Sequence, residues 1–258
     1  MSDIVFEHIP LIDSTNAELS RRISAGAIRG VVCLSANEQT AGRGRRGRSW
    51  LNTDGALMMS ICRDVSSFAP NDLPLISIAS ALGVHDALSE LLPCCVIKWP
   101  NDIICIDSAA PEKLCGILSE LVFSPNSSPF AVIGIGLNAN CAAVPSGLLM
   151  NASSLKIKLG RDVDTEILKK RIASAVLGRL KEVSCGISPI DEYSRRCATL
   201  GSLCCASDLS GRIVAEGIAS RLLSDGRLVI SAAEADGSVR ETIIDASDVS
   251  IRKSESKL

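Results

Sequence analysis

Gly42-Arg43-Gly44-Arg45-Arg46-Gly47-Arg48-Ser49-Trp50 places four arginines within six positions and closes on a tryptophan. The surrounding residues 37–55 are polar, with a further glycine at 55. Glycine lifts the Cβ barrier, so backbone N–H groups there can turn toward an anion. Arginine forks pair bidentately with phosphate or carboxylate, and a charge-assisted hydrogen bond is worth about 1.5–3 kcal/mol. A ring beside such a cluster can stack on a nucleobase. By itself the stretch fits an anion-binding loop, a solvated basic loop or a nucleic-acid contact. On either side, Gly30–Ser35 and residues 56–63 (ALMMSICR) are apolar and read as strands. The loop therefore joins two strands of a sheet.

Working outward, residues 4–12 (IVFEHIPLI) read as another strand, and Thr15 with Glu18 fits a capping box that opens a helix running to about Ser24. Pro74–Leu92 carries apolar residues at helical spacing. Val96–Lys98 and Ile103–Ile106 flank a Trp-Pro-Asn-Asp turn, because the residue before a proline leaves the helical region. Residues 114–123 and 131–137 read as a hairpin around the Ser124–Pro129 loop. Residues 164–183 form the most amphipathic helix, capped by Asp164 or Thr165, and a short helix covers 189–198. From Gly201 onward, short strands are separated by the turns Ser210-Gly211, Asp225-Gly226 and Asp236-Gly237. The pattern predicts an α+β chain: a mixed β-sheet with helices packed on it over 1–200, and a small C-terminal β-barrel over 201–258.

The 258 residues hold 27 Lys+Arg against 29 Asp+Glu, a net charge of -2, and are 47% hydrophobic. That balance speaks against a basic coat for nucleic acid and against intrinsic disorder. Eleven cysteines stand with only two histidines, His8 and His85, and no C-x-x-C occurs. A zinc site is therefore not expected, and the thiols are expected reduced and packed as small hydrophobes. No secretory signal and no apolar run near the ~20 residues of a membrane helix is present, so a cytoplasmic protein without membrane contact is expected.

Three further motifs carry chemistry. Lys98-Trp99-Pro100-Asn101-Asp102 sets a lysine, an amide and a carboxylate at a turn between strands. The lysine can neutralise a phosphate, and the carboxylate can hold Mg²⁺ or accept a proton from an amine. Lys113 precedes an apolar strand in which Gly116 signals close backbone approach. Gly134-Ile135-Gly136-Leu137-Asn138 puts glycines at a strand end, where they can approach a base or ribose; it lacks the third glycine of a dinucleotide fingerprint.

Taken in order, Ile12–Asn16, Gln39–Trp50, Lys98–Asp102, Lys113 with Gly116-Ile117-Leu118, and Gly134–Asn138 resemble the biotin protein ligase family. The resemblance spans residues 9–252. It implies a class II synthetase-like catalytic domain followed by a small SH3-like barrel. It also implies a two-step reaction: biotin and ATP give biotinyl-5′-AMP and pyrophosphate, and the acyl group then passes to a lysine of a biotin-acceptor domain of biotin-dependent carboxylases. By resemblance, Ser14, Thr15, Asn16 and Gln39 meet the biotin head, beside Gly116. Arg43, Gly44 and Arg45 close over the biotin carboxylate and the adenylate phosphate, and Arg48 reaches the ATP phosphates. Lys113 binds the carboxylate–phosphate junction. Trp50 stacks on adenine, and Asn138 touches the base or ribose. Lys98, Asn101 and Asp102 handle phosphate and Mg²⁺, with Asp102 also orienting the incoming amine. Lys113, Asp102 and Arg43 are the residues expected to carry the chemistry. ATP, Mg²⁺ and biotin are then substrates, and no permanently bound cofactor is expected.

Only about a dozen residues precede Asp13, so the DNA-binding head of many relatives is not expected, nor is DNA binding. Monomer and homodimer both stay open. The nearest rival is a lipoate or octanoyl ligase of the same fold. A rival of another class is a nucleic-acid-binding module built on the Arg/Gly loop, which the net charge of -2 disfavours.

Overall fold

The computed structural model describes residues 3–144, 151–208, 210–246 and 250–253. Residues 254–258 of the expected C-terminal unit lie outside the described residues. Among the described residues the strands form two sheets. The larger holds β1 (Ile4–Ile12), β2 (Val31–Gln39), β3 (Leu57–Asp64), β4 (Cys95–Lys98), β5 (Asp102–Cys105), β6 (Glu112–Phe123) and β7 (Pro129–Leu137), in the order β1-β2-β3-β7-β6-β5-β4. β1 and β2 are parallel, as the helix between them requires, and the remaining pairs are antiparallel.

Alternation along the strands sends side chains to two cores. Val32, Leu34, Cys62 and Val132 face α1 (Thr15–Ser24), which contributes Leu19 and Ile23. Val31, Cys33, Ile61 and Ile133 face the other way, toward α2 (Leu75–Ser89) and α4 (Thr165–Ser184). α2 is apolar around most of its circumference because it lies between the sheet and α4. A short α3 (Leu155–Leu159), not foreseen from the sequence, precedes α4. α5 (Ile190–Arg196) is tied to both large helices by ion pairs of Arg179 with Asp86 and Glu192, at 2.7 and 2.6 Å.

The helix-start expectation is corrected by one residue. Ser14, not Thr15, caps α1, with extended backbone and its Oγ accepting from Ala17 N. Glu18 pairs with Arg21 and Arg22 instead of closing a capping box. This leaves the backbone N–H and hydroxyl of Thr15 free to reach Gln39.

The second sheet holds β8 (Leu203–Ser207), β9 (Ile213–Leu222), β10 (Leu228–Ala233), β11 (Val239–Ile244) and β12 (Ser250–Lys253), all antiparallel, in the order β11-β10-β9-β8-β12. This antiparallel sheet is compatible with a small SH3-like unit, and among the described residues no pairing of β11 with β12 closes it into a barrel. Its apolar face, with Ala206, Ala219, Leu228 and Ile230, continues the core of the larger sheet. Trp99 forms the joint. It is buried, and its Nε1 donates to the Gly226 carbonyl at 3.0 Å. No helix among the described residues is long and apolar enough to cross a membrane.

Candidate functional site

One row across the larger sheet makes the floor of a cleft. Reading through the register, Met58, Gly136, Gly116, Asp102 and Lys98 stand opposite one another in turn on β3, β7, β6, β5 and β4. Two successive glycines leave a trough where side chains would otherwise stand. The Trp50 ring lies in it: a Cβ on Gly136 would come within 2.3 Å of Trp50 Cε2, and one on Gly116 within 3.1 Å of both Trp50 and Lys113 Nζ. Lys113 Nζ sits 5.8 Å from the centre of the Trp50 ring. Gly136, expected to approach a base or ribose, and Gly116, expected beside the biotin head, thus both carry a protein side chain in this structure.

The next row, Ser60, Gly134 and Leu118, makes the polar end. Gly134 has no Cβ because Asn16 takes its place, with Oδ1 only 2.4 Å from where that carbon would stand. Ser60 Oγ lies 2.6 Å from Asn16 Oδ1 and 2.7 Å from Thr15 Oγ1. Gln39 Oε1 accepts from Thr15 N at 2.8 Å and from Thr15 Oγ1 at 3.1 Å. Asn16 Nδ2 donates to Glu120 Oε2 at 2.7 Å. Ser14, Thr15, Asn16 and Ser60 are all buried. Ser60 has a single hydrogen for two acceptors, so one oxygen of this group keeps an open lone pair.

The arginine loop closes back over this floor. Trp50 N bonds to Gly42 O at 2.9 Å and Gly44 N to Arg48 O at 2.7 Å. At the tip Arg46 adopts φ 60°, a left-handed conformation uncommon outside glycine, beside Gly47 at φ 70°. Arg43 reaches across to Glu120 Oε1 at 2.5 Å. Arg45 donates to Asn101 Oδ1 at 2.8 Å and to the Ala246 carbonyl, which ties the loop to both sheets. Burial lowers the Arg45 pKa from its ordinary value, yet a guanidinium stays charged at neutral pH. Lys113 Nζ pairs with Asp102 Oδ1 at 2.7 Å.

The cleft gathers Ser14, Thr15, Asn16, Gln39, Arg43, Gly44, Arg45, Trp50, Asn101, Lys113 and Gly116, the larger part of the residues expected from sequence. Its volume is about 70 Å³, whereas small-molecule sites run to roughly 300–1,000 Å³. The Trp50 ring, packed on Gly116 and Gly136, takes up part of this cleft. Two wider clefts adjoin. One of 430 Å³ shares Arg45, Asn101 and Ile117 and reaches Gly226 and Arg227 of the second sheet. One of 340 Å³ is bounded by the arginine loop, with Arg48 on its wall and Glu120 opposite. Asp102 joins the site through Lys113. Lys98 stands beside it in register, outside the lining of these three clefts. Asn138 departs from expectation: it is buried, its Nδ2 donates to Ser153 O at 3.0 Å, and it lines none of them.

Ser60 and Glu120 were missed from the sequence. A carboxylate inside the apolar run of β6 was the available signal for Glu120. Ser60 gave none, because a lone serine in a strand is ordinary.

The model of the biotin/lipoate A/B protein ligase family matches residues 8–138. Among curated proteins, the biotin–[acetyl-CoA-carboxylase] ligase of Mycobacterium tuberculosis is 33% identical over 246 residues, covering 92% of this chain and 85% of that protein. The enzyme of the same name from Paracoccus denitrificans is 30% identical, covering 84% of this chain and 90% of that protein. Among solved structures, the biotin protein ligase of Aquifex aeolicus in complex with biotin and ATP superposes with a TM-score of 0.77. It is 24% identical and covers 98% of this chain and 100% of that one, a likeness of fold.

Proposed function

This chain is a member of the biotin/lipoate A/B protein ligase family, and we propose that within it the chain is an ATP-dependent biotin–protein ligase acting on the biotin-acceptor domain of a carboxylase. The observation that carries biotin over lipoate is the polar end formed by the buried Thr15, Asn16 and Ser60 with the half-buried Gln39. The ureido head of biotin brings two N–H donors and a carbonyl. A lipoyl dithiolane brings none, and would offer these polar groups no hydrogen bond in exchange for the water it displaces. Sites built to hydrogen-bond a ligand reject analogues missing those groups by about 10⁴–10⁵.

Biotin fits with its head against that polar end and its carboxylate toward Lys113 and the arginine loop. Trp50 swings off Gly116 and Gly136 to admit it, and its ring then serves the adenine. ATP fits the adjoining clefts, where Arg45, Arg48 and Asn101 face its phosphates and Mg²⁺ enters with it, while Lys98, outside their lining, adds its charge from the neighbouring register position on β4. In the first step a biotin carboxylate oxygen attacks the α-phosphorus and the bond to pyrophosphate breaks. Lys113 and Arg43 neutralise the charge that gathers at the junction. When Lys113 turns to the phosphate, Asp102 is released from its ion pair. It can then serve the metal or take the proton of the lysine amine that attacks the acyl carbon as AMP leaves.

Residues 1–200 form the catalytic unit in this reading. Residues 201–258 form an SH3-like barrel that borders the ATP cleft through Gly226 and Arg227. Asn138 serves as a structural support, not a nucleotide ligand. Eleven free thiols fit a reducing cytoplasm, and the proposal includes no DNA contact. The test is direct. The full chain with Mg-ATP and biotin should form biotinyl-5′-AMP, release pyrophosphate and label an acceptor domain at one lysine. Adenylation of lipoate but not of biotin overturns the reading.

A further inference from the structure

At the open end of the β4–β5 hairpin, opposite the turn that bears Asn101 and Asp102, three potential donors meet. Cys94 Sγ and Cys105 Sγ are 3.1 Å apart. The donor atoms of Cys94, Cys105 and Asp107 all lie within 4.8 Å of one another. Cys105 is fully buried and stands opposite Cys95 in the hairpin, while Cys94 is half-buried and precedes β4. Asp107 is exposed, pairs with Lys158 at 2.7 Å and holds a carboxylate oxygen within 4.8 Å of the Cys105 sulfur. The sequence, with no C-x-x-C, did not disclose this group.

Two readings compete, a thiophilic metal ion and a thiol pair open to oxidation. A tetrahedral ion with bonds of about 2.3 Å to sulfur holds its two sulfurs roughly 3.8 Å apart. The pair here is closer than that, and the third donor is already committed to Lys158. Disulfide formation requires only that the sulfurs close to about 2.05 Å.

We propose that Cys94 and Cys105 are a reversible redox pair that takes hydrogen peroxide as its two-electron oxidant. Cys94, the accessible member, attacks the peroxide: the O–O bond breaks, water leaves, and Cys94 becomes a sulfenic acid. The Cys105 sulfur then attacks Cys94 Sγ. The S–S bond forms, the S–O bond breaks, and the hydroxide leaves as water with the proton given up by Cys105. Two thiols have lost two electrons, and the peroxide has been reduced to two waters. Burial and the neighbouring Cys94 push the Cys105 thiol up to about 12, so it needs a proton acceptor, and the Asp107 carboxylate stands within 4.8 Å to serve. The bridge ties the start of β4 to the end of β5. A thiol reductant restores the pair, as for transient disulfides of reducing compartments.

The experiment treats the reduced full chain with a few equivalents of hydrogen peroxide, quenches with an alkylating reagent and maps the peptides by mass. The expected product is a Cys94–Cys105 cross-link, about 2 Da lighter by loss of two hydrogens, formed at least about tenfold faster than oxidation of the other nine cysteines and reversed by dithiothreitol. Cys105→Ser should leave Cys94 as a sulfenic acid that dimedone traps. Both thiols remaining alkylatable while other cysteines oxidise overturns the proposal. So does Zn²⁺ bound one to one by the reduced pair with no cross-link formed under peroxide.

Discussion

Replacing Glu120 by glutamine isolates the tether that holds the arginine loop. The carboxylate serves two donors: Oε2 accepts from Asn16, which is buried, and Oε1 accepts from Arg43, whose side chain is half exposed. Glutamine keeps one oxygen and gains an NH2. Leaving the buried Asn16 amide without its acceptor costs about 1–3 kcal/mol, whereas a solvent-screened ion pair is worth about 0.2–1 kcal/mol. The glutamine oxygen therefore goes to Asn16, and its NH2 faces Arg43, donor against donor. The loss falls on the tether and is about 1 kcal/mol at most, a rise of up to about fivefold in the open loop. A chain of this size then loses no more than about 2–4 °C in melting midpoint. The loop reports on itself, because trypsin cleaves after arginine and four arginines lie between 43 and 48. Where opening is fast, cleavage tracks the open population. Glu120→Gln should be cut in this loop about two- to fivefold faster than the parent, with the midpoint nearly unchanged. An unchanged cleavage rate refutes the tether. A midpoint drop well beyond about 5 °C refutes the division of labour, since the carboxylate would then be holding β6 itself.

Gly136→Ala puts a Cβ 2.3 Å from Trp50 Cε2, so the ring must leave the trough. The indole emission should shift to the red, and unchanged emission would mean that the ring does not rest there. Lys113→Ala should lower pyrophosphate release by about 100-fold or more with far-UV circular dichroism unchanged, and near-normal turnover removes Lys113 from the reaction. His85 is held neutral: burial lowers its pKa from 6.5, and its Nε2 donates to the Cys95 carbonyl at 3.2 Å. Below pH 6.5 the unfolded chain takes up a proton that the folded chain resists, so stability present above that pH falls on acidification. Denaturant midpoints measured from pH 7.5 to 5 should show this slope, and His85→Gln should flatten it. An equal slope in both proteins would place the effect elsewhere.

Strand and helix positions in the larger sheet were legible because local patterning decides them. The runs 4–12 and 56–63 alternate or stay apolar, and Asp164 caps α4 as its residue type dictates. The loop between β2 and β3 was equally plain, since four arginines and three glycines in succession cannot pack in a core. Sequence order also brought Ser14–Asn16, Gln39, Lys113 and Gly116 forward as one set, through a resemblance carried by their spacing. Register is different, because it depends on hydrogen bonds between strands far apart in the chain. Only the folded sheet stacks Gly136 on Gly116 to make the trough under Trp50, and only it brings Asn16 onto Gly134 with Ser60 and Glu120 at either side. The same applies to Trp99, Asn138 and the Cys94–Cys105 pair. Trp99 lies within a motif that reads as part of the site and Asn138 reads as a site residue, yet both are drawn inward by contacts with Gly226 and Ser153, 127 and 15 residues away. The cysteines, 11 residues apart, meet only because β4 and β5 fold back on one another. Residue chemistry and spacing determined which side chains were candidates for the site, and long-range pairing decided which of them line the cleft and which hold its walls.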